Sequence, residues 1–146
     1  MIGTAKAGKI ARMNRNYRRD PEILSAMARE LALVASGEVE SFSASVPDSD
    51  RYVQATMDPR GCLLVEASSA RFAELDPPSR AEEESLALAG MSPPCDGKPN
   101  HYAVLRPDGL DEAAEILADA AACLFRSPDP GSVVFEREVR KGGGAD

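Results

Sequence analysis

The chain has one histidine, His101, and three cysteines, Cys62, Cys95 and Cys123. A Ser/His/Asp or Cys/His site would have to be built on that single imidazole, since such sites need a base that titrates near neutrality. Serines are plentiful, yet none stands in a Gly-x-Ser-x-Gly elbow. His101 therefore reads as an ordinary hydrogen-bonded residue where a loop enters a strand. The cysteines are odd in number and hold no Cys-x-x-Cys pair, so a site of all three with His101 matches no zinc finger or ribbon. Cys62 and Cys123 lie in apolar stretches and read as small core residues. Cys95, among prolines, reads as the most exposed thiol.

Carboxylates are dense at Glu82-Glu83-Glu84 and at Asp111, Glu112 and Glu115. Both groups fall in the first turns of predicted helices, where the helix dipole favours negative charge without any catalytic role. Glu66 ends an apolar run, where it emerges into solvent or accepts backbone amides. No Walker A loop and no Gly-x-Gly-x-x-Gly is present, so nothing points to a nucleotide. No catalytic residue, metal or cofactor is assigned.

These residues must be positioned by a lean fold. The 146 residues fit one domain, and 43% of them are hydrophobic, but only seven are aromatic and none is Trp. No apolar run approaches the roughly 18 residues of a membrane span, and no secretory segment follows the basic start, so a soluble cytoplasmic protein is expected. The net charge of −7 conceals a division: residues 1–19 carry +6 and no acid, and the remainder carries −13. An acidic body repels nucleic acid and anionic membranes and suits protein partners. Only the basic segment is placed to contact a nucleic acid, with Arg12, Arg15, Arg18 and Arg19 as its candidate contacts, or it could fold back on the acidic body.

Residues 1–19 are expected to be a flexible arm, 20–140 a single α+β domain and 141–146 a frayed tail. Asp20-Pro21-Glu22 opens a helix, Ile23, Leu24, Met27, Leu31 and Val34 form its stripe, and Gly37 closes it. The period then falls to two. Phe42 and Ala44 alternate with serines, Val53, Ala55 and Met57 alternate with Tyr52, Gln54 and Thr56, and Cys62 to Val65 is apolar throughout. Three antiparallel strands follow, with the third the most buried. Ser79-x-x-Glu82 is a capping box, and Gly90 stops the short helix it opens. Residues 92–100 are too rich in proline and glycine for regular structure. His101–Arg106 is a fourth strand, Asp108 caps a second long helix, and 132–140 is an edge strand. The order α-β-β-β-α-β-α-β predicts helices packed on one face of a mostly antiparallel sheet, with the other face open.

Several landmarks in residues 63–126 resemble the Tir-chaperone/YbjN-like (TY-Chap) superfamily, related in fold to class I type III secretion chaperones. They are Leu63-Leu64-Val65-Glu66-Ala67-Ser68-Ser69, then Phe72, the helix end Leu86, Leu88, Gly90 and Met91, then Pro93-Pro94, Pro99-Asn100-His101-Tyr102 and Leu124-Phe125-Arg126. Met91 stands where the family has Trp, His101 where an aromatic is common, and the strand at 132–140 is extra. The resemblance implies a non-catalytic protein, often a homodimer, that holds a segment of another polypeptide as a secretion chaperone or adaptor does. Phe72, Met91 and Tyr102, large groups in or beside loops, are the expected partner contacts. The alternative is a nucleic-acid-associated regulator that uses the basic arm.

Overall fold

The computed structural model describes residues 19–139; the basic residues 1–18 and the tail from 140 lie outside it. Helix α1, Pro21–Ser36, begins where the Asp20 carboxylate accepts the amides of Glu22 (2.8 Å) and Ile23 (3.3 Å), and it ends at Gly37 with φ of 86°. Its buried stripe is Ile23, Met27, Leu31 and Val34. Strands β1, Ser41–Ser45, β2, Tyr52–Met57, and β3, Leu63–Ala67, follow as a meander. Helix α2, Arg80–Ala89, starts with the complete Ser79/Glu82 capping box. Strand β4, His101–Leu105, leads to helix α3, Leu110–Leu124, and a short 3₁₀ turn, Pro130–Ser132, precedes strand β5, Val134–Glu138.

The five strands form one antiparallel sheet in the order β4-β3-β2-β1-β5. The pairings Phe42↔Ala55, Ala55↔Val65 and Val65↔Ala103 place these residues on one face, together with Ala44, Val53, Ala67, Leu63 and Leu105. Strand side chains alternate between faces, so this registration puts Phe42, Val53, Leu63, Val65 and Leu105 under the helices and leaves Leu64 and Val104 on the other face. Helix α3 lies between α1 and α2, over β2 and β3. It is buried nearly all round, and Ala113, Ala114, Ala118, Ala120, Ala121 and Ala122 allow three elements to approach it closely. β5 joins the same layer through Phe135, whose ring lies 6.1 Å from that of Phe42, and through Arg137, which forks onto Glu30 of α1 at 2.8 and 2.7 Å.

Four local expectations are corrected. Asp108 does not cap α3: the cap position is Gly109, and Asp108 instead pairs with Arg106 at 3.6 Å. Residues 92–100 are not wholly irregular, because Ser92 bridges Tyr102 and Cys95 bridges Lys98. The last strand is shorter than 132–140, since Pro130–Ser132 turns as 3₁₀ before it. Cys62 is half-buried in the turn before β3, where its amide donates to Asp58 Oδ1.

Candidate functional site

The second face of the sheet has no element over it among the described residues. One row across it reads Glu136, Ser43, Gln54, Glu66 and Tyr102, and the next reads Glu138, Ser41, Thr56, Leu64 and Val104. All are half-buried or exposed except Glu66. That carboxylate accepts a hydrogen bond from the Gln54 amide and stands directly opposite Tyr102, so it neither emerges freely nor takes backbone amides. A hollow of about 540 Å³ opens over β1, lined by Ser41, Phe42, Ser43, Gln54, Glu136, Arg137 and Glu138. The surface is thus hydroxyl- and amide-rich, with only negative charge in these two rows. β5 pairs with β1 alone, which leaves its outer edge unpaired among the described residues, while Ser92 shields part of the β4 edge.

Loop 68–78 rises at the end of the sheet where β2 starts. Ser69 N donates to Asn100 Oδ1, and Asn100 Nδ2 donates to the Tyr52 hydroxyl on the bare face, so the loop root and the face share one network. Farther along, Leu75 N donates to Asp50 Oδ2 at 2.8 Å. Phe72 is 45% exposed and Leu75 90% exposed, and Arg71 stacks on the Phe72 ring at 5.5 Å. Two apolar side chains therefore stand in water at the end of an uncovered sheet.

A buried arginine holds this loop. Arg51, directly before β2, is 1% exposed and uses its full fork. Nη1 and Nη2 reach the two Glu82 oxygens at 2.8 and 2.9 Å, Nε donates to Asp76 O at 2.8 Å, and further bonds go to Leu124 O and Pro77 O. One side chain thereby joins the start of β2, the loop, the first turn of α2 and the end of α3. Buried charge is tolerated when every donor is satisfied, and the planar guanidinium suits that geometry. Burial opposes the Glu82 carboxylate, but the Arg51 guanidinium and the Ser79 donors outweigh it and hold its pKa below the ordinary value. Burial also pushes the nearby Cys123 thiol up to about 12, so it stays protonated.

His101 faces inward from β4 opposite Ala67 and is 2% exposed. Its Nδ1 has no hydrogen-bond partner among the described residues, and its Nε2 lies 3.9 Å from Glu83. Burial lowers its pKa, with Glu83 opposing only in part, and the ring is neutral. Its one ion-pair or hydrogen-bond contact among the described residues is with that carboxylate, and no nucleophile–base pair forms through it there. No group of three His, Cys, Asp or Glu among the described residues is placed to hold a metal ion.

The expected contact residues separate. Phe72 is on the surface, and Tyr102 is on the bare face, where its hydroxyl lies 3.7 Å from Cys95 Sγ. Met91 lies in the interior. It is 3% exposed and belongs to the core, because the turn at Gly90 carries it inward: Gly90 N bonds Ala87 O and Met91 N bonds Leu86 O, the paired bonds of a Schellman stop. Arg19 forks onto Asp119, while Arg12, Arg15 and Arg18 lie outside the described residues. Sequence reasoning missed Leu75 and Arg51.

Helices on one side and a bare, partly acidic sheet face on the other define a two-layer α+β sandwich with an exposed apolar rim. No family model, no curated protein and no solved structure matches the chain.

Proposed function

We propose that this chain is a non-catalytic protein-binding module, secretion-chaperone-like or adaptor, that holds an extended segment of a partner polypeptide. The observation that carries the reading is the uncovered sheet face. An extended segment can cross such a face or pair with the free edge of β5, and the rim residues Phe72 and Leu75 supply the apolar anchor. Tyr52 and Tyr102 add rigid amphipathic surface, a residue type that serves interfaces well. The TY-Chap resemblance supports the same reading and adds a homodimer working in the cytoplasm. No helix of the described residues is long and apolar enough to cross a membrane.

Affinity purification of the full-length protein from its native cells tests this. One polypeptide is expected in a fixed simple ratio, retained at high salt and lost on Leu75→Ser with Phe72→Ser. Recovery of nucleic acid and its usual proteins alone, released by salt, overturns the reading in favour of the basic arm.

A further inference from the structure

The buried imidazole of His101 adjoins a set of neutral hydrogen bonds that holds loop 68–78. Asn100, the preceding residue, is 3% exposed; its Oδ1 accepts the Ser69 amide at 3.2 Å and its Nδ2 donates to the Tyr52 hydroxyl at 3.1 Å. The Ser69 carbonyl in turn accepts the amides of Phe72 and Ala73 at 3.1 and 2.9 Å. The root of the loop thus hangs on the residue beside His101, and His101 itself pairs with Ala67, two residues before Ser69. A strand side chain keeps its face while the ladder holds, so the ring reaches water only when the start of β4 parts from β3. The charged group facing the ring is Glu83 of α2, 3.9 Å from Nε2. β3 opposes it with Ala67, and the buried side of α3 carries only apolar residues and Cys123. Lys98 lies on the Tyr102 ring across the sheet, and in the loop Arg71 stacks on Phe72 while Asp76 pairs with Arg51. A second ring proton would need an acceptor at Nδ1, and none is there among the described residues.

We propose that the start of β4 and the root of loop 68–78 form a pH-sensitive latch: proton uptake by His101 parts Asn100 from Ser69 and Tyr52 and frees the loop while the helices stay packed on the sheet. Such sub-global openings are drawn from parts of a fold held by few contacts, and here one side chain, Asn100, ties the Ser69 amide. The size of the effect follows from linkage. An open latch exposes a ring of ordinary pKa, 6.5, and a closed latch holds it neutral by burial. The open fraction therefore rises severalfold between pH 7.5 and 5.5, with about tenfold as the ceiling for one such group. The latch stands whatever the bare face binds; where Phe72 and Leu75 anchor a partner, acid loosens that anchor.

The test is amide hydrogen exchange of the untagged full-length protein at pH 7.5 and 5.5, corrected for the chemical exchange rate at each pH. The amides of residues 69–73 are expected to exchange through a local opening, less protected than those of α3, and that opening should grow severalfold at pH 5.5. His101→Gln and His101→Phe should each remove the pH dependence, and a thermal melt shows which of them is folded. Asn100→Ala should open the same amides already at pH 7.5. An opening equal at the two pH values overturns the proposal, as does a pH dependence that survives in a folded His101 variant. So does exchange of 69–73 only together with the α3 amides, which would make the histidine a brake on global unfolding and not a latch.

Discussion

Replacing Arg51 with alanine removes both guanidinium donors from the buried Glu82 carboxylate, which keeps only the Ser79 amide and Arg126 at 3.7 Å, and takes the arginine's bonds from the carbonyls of Asp76, Pro77 and Leu124. The expected loss is about 3–5 kcal/mol, measured by urea unfolding, and Arg51→Met with Glu82→Gln should recover part of it. Acid acts on the same region with a definite sign. Glu82 sits below its ordinary 4.5 in the folded protein, so the unfolded chain takes up that proton first; the stabilisation is complete above pH 4.5 and is lost as pH falls beneath it. His101 loses stability earlier. Its folded pKa lies below the ordinary 6.5, so the unfolded ring protonates first and stability declines as pH drops below 6.5. Because it is the only histidine, the decline in urea midpoint between about pH 7.5 and 5.5 should vanish in His101→Gln, measured on an untagged chain. A decline of equal size in the variant would place the effect elsewhere. Arg51 was illegible beforehand because it follows Pro47-Asp48-Ser49-Asp50, a stretch that reads as a solvated turn, and its carboxylate partner is 31 residues away. The capping box identified Glu82, but only its local half: nothing local says that the same carboxylate also closes a buried pair.

Elements defined by short-range chemistry were the legible ones. Asp20, Ser79, Glu82, Gly37 and Gly90 act within one turn of where they stand, and the structure has each in its expected capping place. Asp108 shows the boundary of that logic. With Gly109 between it and the helix, it lies one residue too early, and its carboxylate turns to Arg106. Asp20→Ala should therefore cost about 1 kcal/mol, while Asp108→Ala should stay within about 0.5 kcal/mol, both read from chemical denaturation. Equal costs would mean that Asp108 caps in solution. Met91 had a local signal too: an apolar residue following the stop glycine of a Schellman motif packs back onto its helix, which is where Met91 lies. Period-two alternation separated the two sheet faces in β1 and β2, and the apolar run at 63–65 marked β3 as the most buried strand, although β2 holds the centre of the sheet.

At the scale of the whole molecule, the placement of three helices on one side leaves the serine- and glutamate-bearing face uncovered among the described residues, and burial separates Phe72 and Leu75 from Met91. The alternation foretold an open face. It did not foretell that loop 68–78 would be fastened by Arg51 at the end of the sheet where β2 starts, since this depends on contacts among four elements distant in sequence. On the proposed reading, a partner touches the face and the rim together and leaves the far surface of α1 free. The most direct measurement is photo-crosslinking in native cells with a benzophenone amino acid placed singly at Phe72, Tyr102 or Ala32, the last exposed on α1. The account predicts that positions 72 and 102 capture the same polypeptide and that position 32 captures none. Equal capture from all three positions, or capture from position 32 alone, would contradict it.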